Sequence, residues 1–252
     1  MTALVTNDDG IDSPGLIALV AAAVRAGLDV VVAAPARQSS GASAGIIATT
    51  REGRPLIGRR QLPDLPDVTA YAVEAQPAYI VRAALRGWLE PVPELVLSGI
   101  NHGANVGRAI LHSGTVGAAL TAAVNGVRGL AVSLDVGPHP EYPPHWDTAG
   151  HLLPQVLAIL ISAPAGTVLS LNVPDRPVEA LEELRPAALA AFGIVQTRVD
   201  RMEDGQLHLA QVKVDTPPEP GTDSALLAAG HPTLTALESV CEAASPALSV
   251  KE

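Results

Sequence analysis

The sequence predicts an α/β fold in which helices flank a mostly parallel sheet, followed by a C-terminal antiparallel extension. Apolar runs without alternation, such as residues 29–35 and 93–100, are typical of strands that are buried on both faces. These runs alternate with helix-length segments in a β-α-β order, and parallel strands need such crossovers. Ligands of parallel sheets bind at the carboxyl ends of the strands, so the loops there become the first places to look for a site.

The individual elements follow in order along the chain. The first helix is expected to begin at Pro14 and to stop at Gly27, because proline suits a first turn and glycine a helix end. The other expected helices are 77–89, 114–126 and 147–162. The expected core strands are 3–6, 29–35, 68–74, 93–100, 129–135 and 167–173, and weaker strand patterns occupy 188–199 and 206–215. We expect one domain over 1–252, with a core at 1–175 and an extension at 176–252 that is used in oligomerisation.

Composition excludes several classes of function. The 252 residues carry a net charge of −10 and only 2% aromatic residues, so neither a phosphate-backbone footprint nor a base-stacking platform for a nucleic-acid polymer is expected. The one cysteine, Cys241, excludes an intrachain disulfide and a cysteine-based zinc site. The start of the chain does not resemble a secretory signal, and polar residues or prolines interrupt the two uncharged runs. We therefore expect a cytoplasmic protein without a membrane partner.

Oxygen-bearing side chains cluster in three loops that follow expected strands. The loops begin after residues 6, 34 and 98, which a parallel sheet brings to one edge. Two adjacent carboxylates repel each other, and carboxylate, hydroxyl and amide oxygens are the ligands that Mg²⁺ or Mn²⁺ prefers. The three loops therefore predict a site for one divalent cation. Their oxygen-bearing residues are Asn7, Asp8, Asp9, Ser39, Ser40, Ser43, Asn101 and Asn105.

The two carboxylates of the acidic pair can reach one cation only if the backbone turns at this point. Neighbouring side chains of a regular strand point to opposite faces, so Asp8 and Asp9 share a cation only where the strand has ended, which Gly10 permits. The alternative is that "NDDG" is a simple turn whose Asn or Asp caps the next helix.

A second motif, "HSGTVGAAL" at 112–120, places Ser113, Gly114 and Thr115 before an expected helix. Free N–H groups at a helix N-terminus bind phosphate, although an ordinary N-cap explains the same residues. His102 and His112 lie in candidate site loops, where they can donate to a phosphate. "GASAG" matches the serine-hydrolase pattern with Ser43 as nucleophile, but the strand and the helix that such an elbow needs are not expected around it. Glycine-rich nucleotide-binding motifs are missing from the sequence.

Together these motifs resemble the SurE family of metal-dependent nucleotidases. "LVTNDDGIDSPGL" resembles the opening motif of that family, "AAPARQSSGAS" its serine loop, and "SGINHGANVG" followed by "SGTVGAAL" its second signature. "LNVPD" at 171–175 and "GTDSALLAAGHPTLTAL" at 221–237 echo its second half. The resemblance implies a Rossmann-like core and a homodimer or homotetramer. It also implies Mg²⁺- or Mn²⁺-dependent hydrolysis of a small phosphorylated substrate, a nucleoside 5′- or 3′-monophosphate.

The same resemblance assigns residues to roles. It implies a metal shell of Asp8, Asp9, Asn101 and a serine, and the family's "SG" pair selects Ser40 over Ser39. Asp8 or Asp9 is the expected catalytic base. The residues expected beside phosphate and substrate are Asn7, Gly41, Asn105, His112, Ser113, Gly114 and Thr115.

Departures from the family pattern concern substrate choice. His112 replaces a common tyrosine, Tyr79 in "AQPAYI" replaces an acidic residue, and Asn125 replaces another acidic residue. We expect His112 and segment 75–80 to help select the substrate. Two alternatives to a nucleotidase therefore stay open: a related phosphatase for a dedicated non-nucleotide metabolite, and a nucleotide-binding protein with little turnover.

Overall fold

A computed structural model describes residues 1–137, 143–191, 195–203, 206–213 and 219–242. The strands are β1 Thr2–Thr6, β2 Asp29–Pro35, β3 Thr50–Arg51, β4 Arg54–Pro55, β5 Ile57–Leu62, β6 Leu65–Val73, β7 Leu95–His102, β8 Arg128–Asp135, β9 Val168–Pro174, β10 Arg185–Pro186, β11 Val195–Glu203, β12 Gln206–Lys213 and β13 Thr233–Leu237. The α-helices are α1 Pro14–Arg25, α2 Pro77–Ala83, α3 Gly114–Val124, α4 Trp146–His151, α5 Leu153–Ser162 and α6 Asp223–Ala228. A π-helical turn covers Ala84–Trp88, and 3₁₀ turns cover Gly107–His112 and Val178–Ala180.

The main sheet has the order β10-β13-β9-β8-β7-β1-β2-β6-β5. Strands β6, β2, β1, β7, β8 and β9 are parallel to one another, whereas β5 and β13 pair antiparallel at the two sides. β11 and β12 form a separate antiparallel pair. The predicted α/β fold and its C-terminal antiparallel strands are therefore confirmed. The segment beyond residue 175 divides between the main sheet, through β10 and β13, and the β11–β12 pair.

Helices cover both faces of the sheet. Alternate residues of a strand point to opposite faces, and β1 shows this directly: Ala3 and Val5 belong to one hydrophobic cluster, Leu4 to another. Helices α1 and α5 pack in the cluster of Ala3, and α2 and α3 pack in the cluster of Leu4. The buried side chains of both clusters are those of Ala, Val, Leu and Ile.

Two of the predicted helices are interrupted. The expected helix 147–162 is divided into α4 and α5 at Leu152, where Pro154 lacks the N–H group that a continuous helix would use. The expected helix 77–89 leaves the α conformation after Ala83 and ends in the π turn, in which Gly87 has a positive φ of 91°. The short strands β3, β4 and β5 were not expected from the sequence. Among the described residues, no helix is long and apolar enough to cross a membrane.

Candidate functional site

The first polar loop turns immediately after β1. The Asn7 side chain accepts a hydrogen bond from the Gly10 N–H at 3.2 Å and donates to the Gly10 carbonyl at 3.0 Å. Gly10 has a φ of 101°, which a glycine adopts without strain. The backbone turn that the acidic pair requires is therefore present. Asn7 itself is fully buried in this turn, so its side chain shapes the loop, and Asn7 is not among the residues that line the cavity described below.

Asp8 is a buried carboxylate that accepts a hydrogen bond from a hydroxyl group. It is 4% exposed, and its Oδ1 accepts a hydrogen bond from the Thr115 hydroxyl at 2.5 Å. Burial raises the pKa of Asp8 above its ordinary value, and the negative charge of Asp9 raises it further, while the Thr115 hydrogen bond opposes both. Gly114 makes this burial possible, because a Cβ on residue 114 would lie 2.8 Å from Asp8 Oδ2. Asp8 is thus held close to the start of α3 in an environment that penalises its charge.

Asp9 lies nearer to solvent and joins the loops after β2 and β7. Its Oδ2 accepts a hydrogen bond from the His102 N–H at 3.0 Å, and Gln38 Nε2 lies 3.5 Å from its Oδ1. The same Gln38 nitrogen donates to Ser40 Oγ at 2.9 Å. Gln38 therefore bridges the acidic loop and the serine loop, a link that the sequence did not reveal.

The two candidate serines occupy different environments. Ser40 lines the cavity beside the acidic pair. The Ser39 hydroxyl is buried, and its backbone N–H donates to the Asp8 carbonyl at 2.7 Å. Of the two serines, Ser40 is the one that lines the cavity, so it stays the predicted ligand.

Asn101 follows an irregularity at the end of β7. The register between β7 and β8 shifts between Ser98 and Asn101, after which Asn101 pairs with Ser133 of β8. Its Nδ2 donates to the Gly103 carbonyl at 2.7 Å, so its Oδ1 is the oxygen left to face a ligand, and the Thr115 hydroxyl lies 3.2 Å away. Thr115 is fully buried and contacts both Asp8 and Asn101. The Thr115 side chain is therefore placed to position two ligand candidates, and Thr115 is not among the residues that line the cavity.

These loops surround a cavity of about 650 Å³, within the range of roughly 300–1,000 Å³ that small-molecule sites occupy. The wall contains both aspartates and no lysine or arginine among the residues that the structure describes. The lining residues are Asp8, Asp9, Ser13, Pro14, Gln38, Ser40, Gly41, Asn101, His102, Asn105, Ala109, His112, Ser113, Pro144 and Trp146. The described part of the chain also contains no cluster of three or more His, Cys, Asp or Glu side chains fit for a metal, so a metal here needs Asn and Ser oxygens.

Ser113 is both a helix cap and a residue of the cavity wall, the two roles that its motif suggested. Its hydroxyl caps α3 by accepting the Val116 N–H at 3.1 Å, and the residue also lines the cavity. A hydroxyl that accepts such a bond keeps its own hydrogen for an anion. Gly41, with a φ of 74°, lines the cavity as well. Gly114 is not among the residues that line the cavity. Its lack of a side chain lets Asp8 approach the start of α3 closely.

Asn105 is held by residues from distant parts of the chain. Asn172 Oδ1 accepts the Asn105 N–H at 2.8 Å, and Asn172 Nδ2 donates to the Asn105 carbonyl at 2.9 Å. Asn105 Nδ2 donates to Ser133 Oγ at 2.9 Å, and Asn105 is one of the residues that line the cavity. The buried Asp223 carboxylate accepts hydrogen bonds from the N–H groups of Gly107, Ala190 and Ser224. The motifs "LNVPD" and "GTDSAL" contain Asn172 and Asp223, but nothing local in them indicates these contacts.

Two other expectations can be compared with the structure. Ser43 does not lie on a nucleophile elbow: it has a φ of 51° in a turn, and its hydroxyl donates to the Leu111 carbonyl at 2.6 Å. Segment 75–80 does not line the cavity of the acidic pair. Its Tyr79 borders a separate apolar pocket with Trp88, so of the residues expected to select the substrate only His112 faces the cavity.

The comparison with family sequence models gives a match to the survival protein SurE family over residues 3–195. The chain belongs to this family. The SurE assignment made from the motifs is therefore confirmed. The match covers every loop of the cavity described above.

Individual relatives support the same assignment. A protein of Dehalococcoides mccartyi named 5′-nucleotidase SurE is 38% identical over 207 residues, which cover 81% of this chain and 74% of the relative. A protein of the same name from Xanthomonas euvesicatoria is 40% identical over 177 residues, which cover 69% of this chain and 64% of the relative. The crystal structure of the SurE protein from Aquifex aeolicus superposes with a TM-score of 0.77 at 28% identity, covering 94% of this chain and 93% of that one. By name, the two sequence relatives are phosphoric monoester hydrolases, the enzyme class that the motifs predict.

Proposed function

We propose that this SurE family chain is a divalent-metal-dependent phosphomonoesterase that hydrolyses nucleoside 5′- or 3′-monophosphates to nucleoside and phosphate. The observation that carries the proposal is the acidic cavity. Two aspartates face it while no lysine or arginine lines it among the described residues, so without a cation no full positive charge from these side-chain types would offset the repulsion between a phosphate and the aspartates. The relatives named 5′-nucleotidase support the nucleotide as substrate.

The residues present fit a hard divalent cation. Asp8, Asp9, Ser40 and Asn101 offer only oxygen atoms, which suit Mg²⁺ or Mn²⁺ and do not suit a metal that prefers thiolate or imidazole. Burial and the charge of Asp9 both raise the pKa of Asp8, and a bound cation would offset both effects. When bound, a cation of this kind polarises a phosphoryl oxygen and offsets the charge that develops on it.

The chain's own groups supply the remaining functions. The Ser113 hydroxyl and the Gly41 N–H are placed to donate to phosphate oxygens, since both residues line the cavity. Asn105 contributes a fixed amide whose orientation Asn172 and Ser133 determine. Asp8 or Asp9 accepts the proton of the attacking water, and His102 or His112 holds a proton for the leaving oxygen.

The chain is also proposed to act as a homodimer or homotetramer. Three large apolar side chains near the cavity rim support self-association: Ile46, Ile47 and Leu111 are 54%, 70% and 68% exposed. Hydrogen bonds between Ser43 and the 111–112 backbone hold these two loops together. Large exposed apolar groups in one neighbourhood are typical of interfaces.

The deciding experiment measures phosphate release from a panel of nucleotides and sugar phosphates with Mg²⁺, with Mn²⁺ and with EDTA. Asp9→Asn should reduce metal-dependent release by more than about 100-fold, because even outer partners of metal ligands cost about 10- to 100-fold when lost. Asp12→Asn is the matched control, since this exposed carboxylate belongs to the same segment and lies outside the cavity wall. Release that is equal in EDTA, or unchanged in Asp9→Asn, contradicts the proposal.

One observation favours a second candidate, a phosphatase for a dedicated non-nucleotide metabolite. His112 faces the cavity at the position where the family resemblance expects a tyrosine. A clear preference for nucleoside monophosphates in the same panel refutes this candidate, whereas preference for a sugar or polyol phosphate supports it. Binding of metal and nucleotide without any phosphate release would instead indicate a binding protein.

A further inference from the structure

An aromatic side chain lies next to the acidic pair in a chain that has very few. The sequence contains two tryptophans, three tyrosines and one phenylalanine. Among the described residues, Trp146 is the one of these that lines the acidic cavity, while Trp88 packs on Tyr71 with ring centroids 5.6 Å apart. Trp146 is half-buried, so part of its ring faces the cavity.

The Trp146 ring has a fixed position relative to Asp9. Its centroid lies 5.9 Å from that of the His102 ring, with the planes tilted by 50°. The backbone N–H of the same His102 donates to Asp9 Oδ2 at 3.0 Å. One residue, His102, therefore connects the aromatic surface with the acidic pair.

The rest of the surroundings hold the tryptophan in place. Gly15 lets its ring pack against α1, because a Cβ on residue 15 would lie 2.9 Å from Trp146 Cζ3. The preceding residue, His145, is tied to Asp175 by its backbone N–H at 2.7 Å and by Nδ1 at 2.9 Å. A ring that is fixed in this way loses little entropy when a ligand stacks on it.

We propose that Trp146, together with His102, forms a stacking subsite for a nucleobase in the acidic cavity. The inference rests on the proposed function and deepens it, since it makes Trp146 a residue that selects substrates whose ester group carries a planar aromatic ring. Bases stack on aromatic side chains regardless of base identity, because every base offers a π-face. The wall contains no lysine or arginine among the described residues, so this subsite favours an uncharged ring over a further phosphate.

The test compares AMP with ribose 5-phosphate, which has the same sugar and phosphate groups without the base. Trp146→Leu keeps an apolar side chain and removes the ring. It should lower the ratio of kcat/KM for AMP to that for ribose 5-phosphate by about 5- to 100-fold, as loss of one base–aromatic stack does. Trp146→Phe keeps a ring and should retain most of the ratio. Trp88→Phe, outside the cavity, is the matched control and should leave the ratio unchanged.

A binding measurement makes the inference independent of turnover. Because the chain has two tryptophans, Trp88→Phe leaves Trp146 as the one fluorescent indole, and adenosine should quench it saturably while ribose should not. Equal losses on both substrates in Trp146→Leu, or an indole that adenosine does not quench, would overturn the stacking subsite. Absent phosphate release from both substrates in the unmodified protein would overturn the proposed function instead, and the adenosine titration would still decide on the stack.

Discussion

The two sides of the cavity are built in different ways. The acidic side, Asp8, Asp9 and Asn101, lies at the ends of β1 and β7, which are neighbours in the middle of the sheet. The recognition side, Asn105, His112 and Trp146, lies outside the strands: side chains of β8 and β9 hold Asn105 by hydrogen bonds, and Trp146 begins α4. The first side is therefore fixed by the backbone of the sheet, and the second by individual hydrogen bonds.

This difference separates the groups proposed for chemistry from those proposed for substrate choice. Moving an aspartate at the end of a central strand requires a change in the sheet, which the packed clusters on both faces resist. Moving Asn105 requires only the loss of its partners Asn172 or Ser133. Substitutions on the recognition side are thus expected to change selectivity before they change the fold.

The largest effect is expected where the acidic side is most tightly packed. Gly114→Ala places a methyl group 2.8 Å from Asp8 Oδ2 and must displace the carboxylate. Alanine favours a helix interior by about 0.5–1 kcal/mol relative to glycine, so helix propensity at Gly114, the first residue of α3, predicts no destabilisation. We nevertheless expect metal-dependent phosphate release to fall by more than about 100-fold, because a misplaced catalytic group costs that much.

The control for this prediction is Gly58→Ala, where the nearest atom to the added Cβ is 3.9 Å away. Steady-state kinetics of both variants, with circular dichroism to verify folding, gives the comparison. Activity of Gly114→Ala within threefold of the unmodified protein would show that Asp8 tolerates displacement, and would remove the basis for calling the acidic side rigid.

A smaller effect is expected from loosening the recognition side. Asp223→Asn replaces an oxygen that accepts N–H bonds with an amide group that cannot accept, near the N–H groups of Gly107 and Ala190. Hydrogen bonds to a charged group contribute about 1.5–3 kcal/mol, so we expect a loss of about 2–3 kcal/mol in the free energy of unfolding. KM should rise more than kcat falls, because Gly107 belongs to the loop that carries Asn105.

Urea unfolding measures the first quantity, and kinetics with AMP measures the second. Asp29→Asn is the control, because that carboxylate is exposed and accepts a bond from the Thr2 hydroxyl at 3.2 Å. If the two variants lose equal stability, Asp223 does not anchor the recognition side.

The sequence predicted the acidic side better than the recognition side for a physical reason. Parallel strands bring their carboxyl ends to one edge, so the meeting of the loops after β1, β2 and β7 followed from the strand order alone. The contacts of Asn172 and Asp223 depend on where β9 and α6 pack, which no local pattern encodes. The same limit applies to Thr115 and Asn7, whose residue types suit a ligand contact but whose burial gives them positioning roles.

The fold prediction was likewise accurate for the central strands and missed the short strands β3 to β5. Buried parallel strands are continuous apolar runs, so the six central strands were placed within a few residues. The short strands β3 to β5 include exposed positions and charged side chains such as Arg51 and Arg54, and they lack that signal. Pro154 marks the division between α4 and α5. Because proline is tolerated in the first turn of a helix, its presence in the sequence fits the start of a new helix as well as a kink in a continuous one.

The smallest expected effect concerns stability, and it distinguishes a metal site from a simple turn. Burial raises the pKa of Asp8 above its ordinary 3.8, so the folded chain binds a proton there more tightly than the unfolded chain. The free energy of unfolding of the EDTA-treated protein should therefore fall as the pH rises from about 3.8 through the folded-state pKa of Asp8. Above that pKa the contribution of Asp8 is constant and destabilising. Asp8→Asn removes it and also relieves the repulsion from Asp9.

We therefore expect Asp8→Asn to be more stable than the unmodified protein at neutral pH in EDTA, by about 1 kcal/mol, a common size for stabilising substitutions. Mg²⁺ should reverse this order of stability. A ligand that binds only the folded state raises the melting temperature, and the protein that retains Asp8 should bind Mg²⁺ more tightly than Asp8→Asn. Thermal melts of both proteins, with and without Mg²⁺, measure the two effects together. A variant that is less stable in EDTA would mean that the Thr115 hydrogen bond outweighs burial, and that Asp8 serves the fold as much as the cation.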